Sequence, residues 1–522
     1  MPDRHGSRTA NKRNLQFAIG KGIAVGFWNR VKQVFTLDTR SLSLFRIFIA
    51  SVVLYDLADR VGDLEAHYTD MGVLPARTLI TLYGDRMYAS LHVVASGSYA
   101  AVALLFGVHA LAAVALLLGF HTRLATLACW FLALSLQVRT VALLKMGGDS
   151  YVAVALLFAL FLPIGRHWSW DSRRGTDPPP QAANVISLAT VAFVAQVCIF
   201  YWQTGWIKTG ETWFNGTAVW YLVNLDMLRS PIAPWIATQY WAMAPLTHAT
   251  HALERFGPVL FLIPFYAPFF RSVAIVSFTM LHIGIGAFMY LGAFPAMSMA
   301  PLAALVPSKV WDAWLPRLMR RPFSVNAQPP LMDSQASKPV RWGTNLAVVL
   351  LTLHILSFCV ATLGIGGLQP ASLPGAQLKA GRALGLNNSW AMMSPNPGNL
   401  NWWFLIDGRT ASRRHVDPFS KKATTWDRPE DNVDSLRSWR WRLTLLGLLT
   451  LPEGSPRRAI LQGALGDYFC RQWNSEHALE DRLISGRYAR VVEPIGPTKR
   501  MPTFREWIGE FTCPTKLAPV HD

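Results

Sequence analysis

The sequence predicts an all-α polytopic membrane bundle of about nine transmembrane helices, followed by a small mixed α/β C-terminal soluble domain. Three observations predict it. Of 522 residues, 52% are hydrophobic and 15% charged, a balance unlike that of a water-soluble globule. The apolar residues gather into runs able to cross about 30 Å of hydrocarbon. Many of the 21 Trp lie at the ends of those runs, where an amphipathic ring prefers the headgroup layer.

Residues 1–40 form a basic segment with Lys12, Arg13, Lys21, Arg30 and Lys32. No cleavable signal peptide is expected ahead of the first apolar run, and the first span directs insertion. The runs extend over Ser41–Leu57, Ser96–Phe120, Leu124–Leu144, Tyr151–Ile164, Ala183–Tyr201, Pro258–Phe270, Ser272–Leu291, Ala293–Val306 and Asn345–Gly364. Those starting at Tyr151, Pro258 and Ala293 are short and carry Pro, so they fit re-entrant or shielded helices as well as full spans.

Loop charge orients the bundle. His121 to Arg123, Arg166-His167, Arg173-Arg174 and the run from Lys309 through Arg317, Arg320, Arg321, Lys338 and Arg341 fall on the side of the basic N-terminus. The opposite loops, such as Asp59 to Glu65, are neutral or acidic. The positive-inside rule therefore puts the N-terminus in the cytoplasm, in a cell's inner membrane if the source is bacterial. The division is 1–40 cytoplasmic, 41–310 membrane domain, 311–344 basic cytoplasmic loop, 345–364 last span and 365–522 polar, extracytoplasmic domain, with a Gly- and Pro-rich exit at Gly364–Pro374. In that tail, Trp402 to Ile406 running into Asp407-Gly408 reads as a hairpin, and Leu436–Leu451 and Arg458–Glu476 as helices.

The net charge of +18 suits an anionic lipid surface; no nucleic-acid partner is expected, because the basic residues sit between apolar runs. Of five Cys, 129, 198 and 359 lie in apolar runs, and no metal spacing is present. Cys470 and Cys513 pair only if the tail faces an oxidising compartment and the fold brings them together.

Polar groups at membrane depth are costly, so they are the first candidates for function. Arg46 lies near the start of the first span, within reach of a snorkelling position or of Asp56. Lys208, among aromatic and small residues after the fifth run, suits either a headgroup contact or a desolvated, neutral base. Lys145 and Asp149 lie in an outer loop expected on the same face as Lys208, where they are substrate-orienting or simply solvated. His282 is mid-span, as a functional group or a donor to a neighbouring helix. His248, His251 and Glu254 are spaced too widely for a metal site, and no phosphate-binding glycine motif occurs.

These residues resemble a known family. Leu44 to Ile47, Tyr68 to Pro75, Gly147 to Asp149, Leu162 to Asp171, Thr204 to Lys208 with Trp213 and Gly216, and His282 followed by Gly292 to Pro295 are similar, in order, to the HTTM (horizontally transferred transmembrane) domain, related to the vitamin K-dependent gamma-carboxylase. The segment Ser389 to Pro397 resembles the stretch C-terminal to the domain in bacterial members. The resemblance implies a lysine base at Lys208 that deprotonates a reduced quinone; oxygen then adds, and the strong base so formed takes a proton from a glutamate γ-carbon, to which carbon dioxide adds as the quinone becomes an epoxide. Ile207 stands where the carboxylase has a second lysine, and Ser150 where its pattern has a histidine. The expectation is therefore quinone-linked oxygenase or epoxidase chemistry with the lipid membrane as host. The alternatives are an auxiliary role in maturing or exporting a secreted peptide or protein, and a bundle that only anchors a binding tail.

Overall fold

The computed structural model describes residues 26–143, 147–174, 184–319, 338–429, 435–496 and 501–514. Lys145 lies outside the described residues, as do Lys12, Arg13, Lys21, Arg320 and Arg321.

Five described helices are long and apolar enough to cross a membrane: α1 (Thr39–Val61), α2 (Tyr99–Leu118), α5 (Leu188–Trp206), α7 (Ala267–Phe288) and α9 (Lys338–Thr362). Local chemistry sets their ends. Asp38 caps α1, Ser98 caps α2, and Ser187 forms a capping box with Thr190 on α5, each satisfying amides that the first turn leaves unpaired. Gly119 stops α2 in the left-handed region at φ 66°.

The expected nine spans differ from this in four places. Leu124–Leu144 becomes α3 (Thr122–Thr140), which carries Arg123 and Arg139 and is the more polar for them. Tyr151–Ile164 becomes the 13-residue α4 (Gly147–Ala159), and Ala293–Val306 the 10-residue α8 (Phe294–Ala303). Pro258–Phe270 is not one helix: a single turn, Val259–Leu262, is followed by a break before α7 begins at Ala267. Pro258, Pro264 and Pro268 each remove an amide donor from that stretch. Between α5 and this turn lies α6 (Tyr240–Phe256).

The two ends of the bundle differ. At one, Thr39 Oγ1 meets His167 Nε2 at 2.8 Å, Ser41 Oγ donates to the Val306 carbonyl at 2.6 Å, and Arg271 donates to the Val34 and Thr36 carbonyls. The starts of α1 and α7 thus share an end with the exit of α8, and a two-residue antiparallel ladder joins Leu37–Asp38 to Asn184–Val185 there. At the far end of α1, Arg440 of the tail donates to the Asp59 carboxylate at 2.7 Å and pairs with Asp56, while Ser438 bonds Asp63. The tail therefore stands on the end opposite the start of α1.

The tail is a five-stranded antiparallel sheet with helices on one face. Its strands are β1 (Leu400–Thr410), β2 (His415–Asp417), β3 (Lys422–Ala423), β4 (Leu483–Pro494) and β5 (Phe504–Thr512), in the order β3-β2-β1-β4-β5. The expected turn at Asp407-Gly408 is instead inside β1, opposite Arg487 and Gly486. Glycine is needed there because an added Cβ would lie 2.8 Å from Leu483 Cδ1 and 2.9 Å from the Val416 carbonyl oxygen. The two expected helices form as α10 (Trp439–Leu449) and α11 (Pro456–Glu476), and Tyr488 of β4 donates to the Gln462 carbonyl of α11 at 2.8 Å. Cys470 on α11 and Cys513 after β5 form a disulfide with Cα atoms 5.6 Å apart. Tail residues Ile406, Trp441 and Phe469 share one hydrophobic core with Val73, Leu79, Leu225 and Met289 of the membrane half, so the two halves bury surface against each other.

Candidate functional site

The tight crossing of α5 and α6 builds the site. Gly205, one residue before the end of α5, lets the α6 backbone approach so closely that an added Cβ would sit 2.7 Å from Arg255 N. Arg255 Nε donates to the Gly205 carbonyl at 3.0 Å, and Arg255 Nη2 to the Lys208 carbonyl at 3.1 Å; His251 Nε2 meets that same oxygen at 3.1 Å. These contacts fold the chain after α5 back on itself. Lys208 Nζ donates to the Thr204 carbonyl at 3.2 Å and pairs with Glu254 Oε2 at 2.7 Å, and it lies 5.2 Å from the centre of the Trp213 ring.

Lys208 is 3% exposed. Burial pulls its ammonium below the ordinary lysine range; the Glu254 carboxylate opposes this and Arg255 adds to it, with burial prevailing.

Lys208 and Glu254 open into a cavity of about 790 Å3. Its walls are largely apolar, from Phe200 and Tyr201 of α5, Leu253 of α6, Leu281 and Ile285 of α7, and Met392, Met393 and Trp439 of the tail. His282 lines it too: Tyr201 Oη meets His282 Nε2 at 3.0 Å, and Nδ1 has no partner among the described residues. The segment after α9 latches over this region. Trp213 Nε1 donates to the Met393 carbonyl at 3.0 Å, Gly210 N to the Pro395 carbonyl at 3.0 Å, and Thr212 N and Oγ1 to Asn396 Oδ1 at 3.1 and 2.7 Å.

Of the residues singled out in the sequence, the structure brings Lys208 and His282 to one cavity and places Arg46 and Asp149 elsewhere. Gly147 and Gly148 reach its wall, but Asp149 turns away to Arg60 Nη2 at 2.8 Å, in a buried network where Arg60 also holds Asp56 at 2.7 Å. The expected meeting of Asp149 and Lys208 at one mouth does not occur, because the Arg60 guanidinium claims the carboxylate. Arg46 does not pair with Asp56. It is fully buried and donates to the carbonyls of Leu116, Leu117, Ile164 and Trp168 at 2.5–3.2 Å, closing the negative end of α2. Lys145 lies outside the described residues. Glu254, the direct partner of Lys208, is missed by the sequence reading except as part of a rejected metal spacing. The available signal is its i, i+3 relation to His251, which puts both on one face of α6.

A family model described as the HTTM domain matches residues 35–311, more than half of the chain. No curated protein and no solved structure matches it.

Proposed function

Because the chain belongs to the HTTM domain family, we propose that it is a membrane enzyme whose Lys208 takes a proton from a lipid-soluble quinol, at the start of quinone-linked oxygenase or epoxidase chemistry. The observation that carries this reading is a buried amine, paired with one carboxylate, facing an apolar cavity of about 790 Å3. Small-molecule pockets run to about 300–1,000 Å3 and combine apolar walls with a few convergent polar groups, so the residues fit such a ligand.

Lys208 acts as a base only when neutral, and burial favours that form. Glu254 Oε2, 2.7 Å from Nζ, holds the amine in place at the cavity wall. Phe200, Leu253, Leu281 and Trp439 hold a planar apolar ring and exclude water. Tyr201 Oη and His282 Nε2, 3.0 Å apart, form a polar pair on the cavity wall that orients a ligand oxygen. When bound, a reduced quinone supplies the electrons for reaction with oxygen; coupling to carbon dioxide is a further step that the family resemblance implies.

We place the N-terminus and the basic loop of residues 311–344 in the cytoplasm and the tail outside, in a bacterial inner membrane. Loop charge supports this, as does the Cys470–Cys513 disulfide, which suits an oxidising compartment.

The test is epoxide formation from chemically reduced menaquinone, under oxygen, by the purified protein in nanodiscs. Wild type is expected to give product and Lys208→Ala to lose about 100-fold or more, the usual contribution of a general base. No product from either menaquinone or ubiquinone with wild type rejects the reading in favour of an auxiliary role in maturing a secreted peptide.

A further inference from the structure

We propose that the groove at the start of α3 binds the phosphodiester headgroup of an anionic phospholipid, with an acyl chain along its apolar wall. The groove encloses about 540 Å3 on the end of the bundle where α1 begins, away from Lys208. That end is fixed by Arg46 near the start of α1, which donates to the last-turn carbonyls of α2, the helix that leads into the groove.

Its lining divides by chemistry. Leu124, Leu162 and Ile164 form an apolar wall, while Arg123 and Arg166 stand at the mouth. Neither arginine has a hydrogen-bond or ion-pair partner among the described residues, and Arg166 Nε is buried without an acceptor. The open ends of two unpaired guanidiniums beside an apolar wall suit a phosphate, whose oxygens match their planar fork.

Asp171 also lines the groove. Its carboxylate accepts from His121 N at 2.9 Å, Thr122 N at 2.8 Å and Thr122 Oγ1 at 2.7 Å. It is thus engaged by the N-terminus of α3 and pairs with neither arginine. Arg173 and Arg174 follow it in the chain, and Arg174 lies 5.1 Å over the Phe120 ring. Trp168 and Trp170, 38% and 51% exposed, give this rim the aromatic character of a membrane interface. A free phosphate leaves the apolar wall unused; a phospholipid fills both parts, and an anionic leaflet presents it there.

The experiment places the full chain in nanodiscs of equal parts phosphatidylcholine and phosphatidylglycerol, releases it, and counts adhering lipids by native mass spectrometry. Wild type is expected to retain phosphatidylglycerol over phosphatidylcholine. The Arg123→Gln/Arg166→Gln variant should lose about fivefold in that preference per arginine removed. Arg123→Lys/Arg166→Lys, which keeps the charge, should retain most of it and so separates lost attraction from a misfolded chain. Equal retention of both lipids by wild type, or undiminished preference in the glutamine variant, overturns the site. Displacement of the lipid by added inorganic phosphate at matched ionic strength would overturn the lipid assignment in favour of a free anion.

Discussion

The pairing of Lys208 with Glu254 has a stability signature separable from any activity. Both side chains are nearly buried and 2.7 Å apart. Removing one leaves the other's charge or polar group unmatched in an apolar setting, which typically costs about 3–5 kcal/mol, whereas replacing both by apolar groups of similar size is often close to neutral. Lys208→Met is therefore expected to lower stability to chemical denaturation in detergent by about 3 kcal/mol, and Lys208→Met/Glu254→Leu to recover most of the loss. Additive losses in the double variant would show that the pair is not coupled. Lys208 was singled out as a candidate by the resemblance of Thr204 to Lys208 to the HTTM domain; by composition a headgroup contact fitted it as well. Glu254 was not legible as its partner, since nothing local announces a contact across 46 positions, and Arg60 was missed as the owner of Asp149 for the same reason.

At the scale of elements, the α5–α6 crossing decides whether that pair forms. A methyl group at Gly205 would meet Arg255 N and Glu254 C, each at 2.7 Å, and both are backbone atoms that cannot swing aside. Gly205→Ala is expected to push α6 outward, costing about 1–3 kcal/mol as an overpacked contact and separating Lys208 from Glu254. Epoxide formation should then fall much further than stability. Gly107→Ala on α2 is the control, because its added methyl meets nothing within 4 Å. Equal activity in the two variants would mean that the crossing does not position the base. Length and hydropathy made all five span-capable helices legible, but they also marked Leu124–Leu144, which is as long and is not among them. The sequence was weaker where proline and arginine interrupt the apolar runs: around Pro258, Pro264 and Pro268 hydropathy stays high while amide donors are lost, so an apolar stretch reads as one helix and folds as a turn and a break.

The whole molecule depends on the seam between tail and bundle, and one buried histidine makes that seam sensitive to pH. His67, in the short helix Leu64–Tyr68, meets Thr444 Oγ1 of α10 at 3.0 Å and packs edge-on against Trp441 at 5.0 Å. Burial, with Arg440 and Arg139 adding to it, lowers its pKa from 6.5 to about 3. The folded chain thus keeps this ring neutral while the unfolded chain protonates it below about pH 6.5. Between those values the unfolded state binds more protons, so the contribution is complete above pH 6.5 and is lost as pH falls toward 3. By pH 5 the loss from this residue amounts to about 2 kcal/mol, at 1.36 kcal/mol per unit. The seam joins residues nearly 380 positions apart and left no local trace in the sequence. Thermal unfolding of the protein in detergent, followed from pH 7 to pH 5, is expected to show a falling midpoint, with proteolysis of the tail beginning earlier in the melt at the lower pH. His92 and His167 are also held neutral, at about 3 and about 4, so the slope has several sources. The difference between wild type and His67→Gln isolates one of them: glutamine keeps a hydrogen bond to Thr444 within reach and does not titrate. A shallower slope in His67→Gln places the proton at the seam, and identical slopes would place the acid sensitivity elsewhere in the molecule.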